Sequence, residues 1–264
     1  RWNTTPDDFG EANERLQRAA ESLGLKDLKY GIGEEGTIFD PDRVQTLGGI
    51  TGHPAEISLS AAKFRHALDH NLSSITRWSW SSNRIFGIID MSVNNMAKLS
   101  NRMAGDRRVE VRRSGSAKHP DNHVESVVSF NQEDNRIRVL IYNHNKDYFS
   151  TVDDSYRIIL DHIPGKNRKV RVSKWLVDEN HSNFWPTWWE EQGHDVELGP
   201  MEGEYGMAGH ISISRFDSFA MEAFKNEKDR EFFMENLDRY RELNRLMDPL
   251  QSTARIKDNT LELE

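Results

Sequence analysis

The chain has 264 residues, with 35 Lys and Arg against 43 Asp and Glu, a formal net charge of −8, 7 Trp, 12 Phe and no Cys. The absence of cysteine excludes disulfides, thiol nucleophiles and thiolate metal sites, and the acidic balance argues against nucleic acid and anionic membrane surfaces as partners. So many aromatics need a core, which argues against a disordered chain despite a mean hydropathy of −0.77.

Thr5-Pro6-Asp7-Asp8 opens a helix: a capping hydroxyl, Pro at the first helical position and acids at the positive end of the dipole. Phe9, Leu16, Ala19, Ala20 and Leu23 keep a helical period, and Gly24 stops it. Leu28 to Gly33 reads as a short strand running into Glu34-Glu35-Gly36-Thr37, followed by a long Gly-, Asp- and Pro-rich loop. Ser58 or Ser60 is expected to cap a second helix through Ala61, Ala62, Phe64, Ala67 and Leu68. Ser74 to Trp80 reads as a strand, and a third helix is expected from Val93 to Met103, stopping at Gly105. This rhythm of helix, strand, helix, strand, helix belongs to parallel α/β structure.

The pattern changes near Arg107. Short alternating runs follow at 126–130, 137–142, 156–160, 169–175 and 211–214, separated by turns such as Glu133-Asp134-Asn135, and they read as an antiparallel β-sandwich. A charged amphipathic helix is expected from Asn226 to Leu246, with Phe232, Phe233, Leu237, Tyr240, Leu243 and Leu246 on its apolar side. A final hairpin is expected around Asp258-Asn259. No apolar run approaches the length of a membrane span, so no membrane partner is expected. The opening Arg1-Trp2-Asn3 lacks an initiator Met, so the chain is expected to come from a longer product.

Val139-Leu140-Ile141-Tyr142-Asn143, the turn Ile163-Pro164-Gly165, and the run from Val170 through Trp175, Asp178, Glu179, His181 and Asn183 to Trp188 and Gln192-Gly193 carry a resemblance. Together they resemble the sandwich of glycoside hydrolase family 39, the β-xylosidase and α-L-iduronidase family. Gly87-Ile88-Ile89-Asp90 through Leu99, Arg102 and Gly105-Asp106-Arg107 is similar to the family's last barrel helix. There Ser92-Val93-Asn94-Asn95 stands in place of the family's Lys-Pro. Glu242-Leu243 and Asp248-Pro249-Leu250 are similar to the segment after the family's inserted helix.

The resemblance implies a fold of α/β plus all-β class: the C-terminal part of a (β/α)8 TIM barrel, strands seven and eight, over 1–106, then an antiparallel β-sandwich over 107–264 with a helix inserted near 226–247. It implies a retaining glycosidase acting on a carbohydrate such as a xyloside. Such an enzyme uses one carboxylate as nucleophile and a second carboxyl about 5 Å away as proton donor. Glu34 matches the nucleophile, with Glu35 as second choice. Trp78 and Trp80 match the aromatic floor of the sugar subsite, and Asn83 and Arg84 follow where substrate contacts are expected. The acid/base Glu belongs on a strand absent here, so it is expected from an N-terminal companion chain or segment of the same precursor. No cofactor and no metal is implied.

The residues also allow plainer readings. Glu34 and Glu35 could be exposed loop acids, and Trp78 and Trp80 barrel core. His66 and His70 have metal-compatible spacing but no evident third ligand, and read as surface histidines. Arg107, Arg108, Arg112 and Arg113 read as a solvated face. Asp178, Glu179, His181 and Asn183 read as a structural polar network with Trp185, Trp188 and Trp189 packed beside it, those Trp forming a glycan-binding surface in the alternative. For the whole chain the competing class is a non-catalytic glycan-binding or scaffolding protein.

Overall fold

The computed structural model describes residues 6–26, 28–35, 54–70, 72–77, 89–120, 122–145, 153–163, 168–191 and 227–263. Helix α1 spans Pro6–Ser22 and closes on Gly24, whose φ of +74° suits a residue without a Cβ. Leu25 N–H donates to Ala20 O at 3.0 Å and Gly24 N–H to Glu21 O at 2.9 Å, the paired bonds that satisfy a helix end.

Strand β1 (Gly31–Glu35), helix α2 (Pro54–Asp69) and strand β2 (Ser74–Arg77) follow, and β1 and β2 pair in parallel. Helix α2 begins at Pro54 rather than at the predicted Ser58 or Ser60. Proline at the first helical position costs no hydrogen bond, and both serines fall inside the helix. Helix α3 covers Val93–Asn101, two residues short of the predicted Met103, and Gly105 turns the chain with φ +79°.

Beyond it the described strands pair antiparallel. β3 (Arg107–Val109), β4 (Asn122–Asn131) and β5 (Arg136–Asn145) form a three-stranded sheet in that order. The Asn131 carboxamide oxygen accepts from the Glu133 and Asp134 N–H groups, and Asn135 takes φ +51°, which makes the tight β4–β5 turn. β6 (Ile158–Leu160) and β7 (Lys169–Lys174) come next, then helix α4 (Trp185–Glu191).

The predicted helix over 226–246 is two helices, α5 (Glu227–Glu235) and α6 (Leu237–Asn244). Asn236 breaks it, its amide folding back to Phe232 O at 2.8 Å in competition with the helical ladder. Strands β8 (Leu250–Arg255) and β9 (Leu261–Leu263) flank Asp258 and Asn259, both at positive φ, with Lys257 bridged to Thr260. The predicted turn is there, closed by that one antiparallel pair, but the predicted hairpin goes no further. β8 pairs with β7 and β9 with β6, so the two strands diverge into separate sheets. The predicted strand at 211–214 lies outside the described residues.

One core takes side chains from both sides of Arg107. Ile57, Ala61 and Ala62 of α2 and Met91, Val93 and Met96 around α3 pack with Tyr142 of β5. The same cluster continues through Phe184, Trp185 and Trp188 to Phe233, Leu237 and Tyr240. The Phe233 and Tyr240 rings stack at 5.2 Å, and Trp188 meets Phe233 edge-on at 5.7 Å. Fully burying such rings stabilises by roughly 1.5–3 kcal/mol each.

Candidate functional site

Because β1 and β2 are parallel, their C-terminal ends open on one side. At their starts the Ser73 backbone N–H and hydroxyl both donate to Tyr30 O, at 2.7 and 2.8 Å. Gly31 lies so close to Ser74 that a Cβ there would collide with its hydroxyl. At the far end, past a register irregularity between Ile32 and Glu35, the backbone of Glu35 pairs with that of Arg77. Glu34 and Glu35 therefore belong to β1 itself, not to a loop beginning after Gly33, because pairing with β2 carries the strand two residues further. Trp78, Trp80, Asn83 and Arg84 lie outside the described residues.

A buried polar knot lies where the third helix begins. Ser92, Asn95, Ser182, Asn183 and Asn244 are each at most 5% exposed. The Asn95 amide donates to Ser182 O at 2.9 Å and to Asn244 O at 2.7 Å, and Asn244 Nδ2 donates to Asp90 O at 2.5 Å. The Ser92 hydroxyl sits between Asn183 Oδ1 at 2.5 Å and Asn244 Oδ1 at 2.7 Å, with one proton to give. Ser182, at φ +54°, accepts from Met247 N–H at 3.1 Å. Of the predicted polar network only Asn183 joins this knot. Asp178 and His181 form their own pair at 2.8 Å near the surface. Sequence reasoning treated Ser92 and Asn95 as a departure and overlooked Asn244, although Ser92 and Asn95 flank the buried Val93 and Met96.

A charged layer joins α2 to the three-stranded sheet. Arg65 reaches Asp69 at 3.3 Å and Glu125 at 3.7 Å, and Ser58 Oγ meets His144 Nδ1 at 2.9 Å. Burial pushes the Tyr142 phenol up to about 12, the nearby Glu125 and Asp69 carboxylates adding to it and the Arg65 hydrogen bond opposing it. Arg108 pairs with Asp69, Arg113 with Glu125 at 3.0 Å and Arg112 with Glu110 at 3.2 Å, so these three of the basic cluster are tied to acids.

Trp185 and Trp188 are 6% and 0% exposed. That corrects the alternative of a glycan-binding surface for these two, since a buried indole has no face to offer; the side chain of Trp189 lies outside the described residues. His66 and His70 stack at 6.1 Å, and His70 Nδ1 lies 3.3 Å from Glu14. Among the described residues no group of three or more His, Asp or Glu is placed to hold a metal ion, and no helix is long and apolar enough to cross a membrane.

No family model, curated protein or solved structure matches the chain. Its chemistry has to be read from its own residues. A cleft of about 2130 Å³ is walled by Ile137, Val139 and Ile141 of β5, Val170 and Val172 of β7, and Met96 of α3. Trp175 stands at its side with the Arg102 guanidinium 4.4 Å above the ring.

Proposed function

We propose that the chain is the C-terminal portion of a retaining glycoside hydrolase similar to family 39, which cleaves a xyloside-like sugar by double displacement. The observation that supports this beyond the resemblance is the parallel β1–α2–β2 unit with Glu34 near the C-terminal end of β1. That is the end at which (β/α) barrels carry their chemistry. A parallel pair alone buries neither face, so further strands from an N-terminal companion chain or segment fit the same reading.

In the proposed reaction the Glu34 carboxylate attacks the anomeric carbon while the companion's carboxyl gives its proton to the departing oxygen. Water then cleaves the glycosyl ester, losing its proton to the companion carboxylate and freeing Glu34. Trp78 and Trp80 would stack on the sugar, and Asn83 and Arg84 would contact its hydroxyls.

Incubating the purified protein with an activated 2-deoxy-2-fluoroxyloside and mapping peptides by mass is expected to place one fluorosugar on Glu34. Label on Glu35 would move the nucleophile by one residue. A protein that binds xylo-oligosaccharide yet takes no label would leave the non-catalytic glycan-binding reading. Neither label nor binding would overturn both.

A further inference from the structure

We infer that the cleft between β5 and β7 is a binding site for an extended acidic peptide that adds a strand to the edges there. This site does not depend on the glycosidase reading.

Size comes first. At about 2130 Å³ the cleft is roughly twice the upper end of ordinary small-molecule pockets, which leaves room for a polymer. Backbone geometry then favours a strand. Among the described residues β5 has a neighbouring strand, β4, on one side only, and β7 has β8 on one side only. The face of a strand would offer the cleft every second residue. Here consecutive residues 134–143, 168–179 and 249–252 line it, so main chain borders the space as well as side chains. An edge of N–H and C=O groups is a template for a further strand.

The walls narrow the chemistry. Ile137, Val139, Ile141, Val170 and Val172 are aliphatic and β-branched, suited to alternate apolar side chains of a peptide rather than to sugar hydroxyls. One face of the nearby Trp175 ring is taken by Arg102. Charge selects the remaining positions. On a chain of net charge −8, Arg168, Lys169, Arg171 and Lys174 line the cleft against Asp153, Asp178 and Glu179, while Arg136 lies 3.7 Å from Asp134, which lines it too. Arg138 is already taken up by Asp106 at 2.9 Å and Asp134 at 2.7 Å. A peptide alternating apolar and acidic residues satisfies both walls and rim.

The test is fluorescence polarisation of the full chain with a labelled heptapeptide alternating Glu and Val. It should bind at least about tenfold more tightly than the Lys and Val analogue, and lose affinity as salt is raised. Proline at the central position removes an N–H the edge needs and should cost about tenfold or more. On the protein side, Lys169→Glu with Arg171→Glu, both exposed positions, should weaken binding about tenfold, whereas Arg15→Glu on α1 should not. The peptide variants keep the test decisive if the double variant fails to fold. Equal binding of the Lys analogue, or no cost from proline, would overturn the assignment. So would polygalacturonate binding that the double variant abolishes while the peptide does not bind, which would make the cleft a glycan groove. A failed fluorosugar labelling would leave each of these outcomes unchanged.

Discussion

The carboxamide nitrogen of Asn95 lies 2.7 Å from the main-chain carbonyl oxygen of Asn244, 149 residues further along the chain. Its second hydrogen goes to Ser182 O, so one side chain holds the start of α3, the bend at Ser182 and the end of α6 together. Asn95→Leu keeps the branching at Cγ but leaves two buried carbonyls without that donor. It should destabilise the fold by roughly 2–5 kcal/mol. Urea unfolding of the variant checks this, with the midpoint falling and the slope unchanged. A loss below about 1 kcal/mol would mean that water replaces the amide and the knot is not a structural tie.

Much of the fold was legible because its signals are local. Pro6 and Gly24 bound α1, and Asp258-Asn259 mark a turn that needs two positive φ values. What was not legible depends on partners far along the chain. Periodicity put Leu16 and Leu23 on the inner side of α1, yet they are 58% and 75% exposed. The helix instead turns Gly10, Asn13 and Ala20 inward, because Gly10 lets it approach the His70 ring and Asn13 donates to His70 O. Close approach between helices favours small residues, which hydrophobic periodicity does not weigh. The divergence of β8 and β9 is of the same kind, decided by β7 and β6 about 80 to 100 residues upstream. At the candidate site, the position of Glu34 near a strand end could be read from the chain. The strand's extension past Gly33 could not, since it needs the pairing with Arg77.

Asp106 gives an acid-side prediction. Burial pushes its carboxyl up, but hydrogen bonds from Ser129, Asn131 and Arg138 and the charge of Arg138 outweigh this and hold it below the usual carboxylate value of 3.8. The unfolded chain thus binds the proton more readily, and the stability Asp106 contributes is present above about pH 4 and lost as pH falls through the folded-state value. Asp106→Asn should therefore be less stable than the natural chain at pH 7, with the gap closing below about pH 4. Urea midpoints of both proteins from pH 7 to pH 3 would show it. A gap independent of pH would assign the effect to hydrogen bonding alone.

Tyr142 gives the alkaline counterpart. With its phenol raised from 10 to about 12, the folded chain keeps the proton that the unfolded chain gives up. Its contribution is complete below pH 10 and is lost as pH rises towards 12. Tyr142→Phe should flatten the fall in stability between pH 10 and 12. At pH 7 it should cost roughly 1–3 kcal/mol through the lost hydrogen bond with Arg65. Tyrosinate absorbance checks the assignment independently. One of the late-titrating phenols should vanish in the variant, and an unchanged late phase would place it elsewhere.

The nucleophile assignment makes the sharpest demand. An amide at position 34 keeps the shape of the carboxylate but cannot form the glycosyl ester, so Glu34→Gln should lower turnover by at least about a thousandfold, or ~4 kcal/mol on the barrier. Glu35→Gln, one residue along the same strand, should keep most of it. Turnover alone cannot separate a lost nucleophile from a disturbed strand, so chemical rescue decides. With Glu34→Ala and its companion segment present, azide can enter the vacated space and attack the anomeric carbon directly. One displacement inverts where two retain, so the product should be a glycosyl azide of inverted configuration. Rescue of the Glu35→Ala protein instead would exchange the two roles. Full activity in Glu34→Gln would remove the carboxylate from the mechanism, whatever the strand around it looks like.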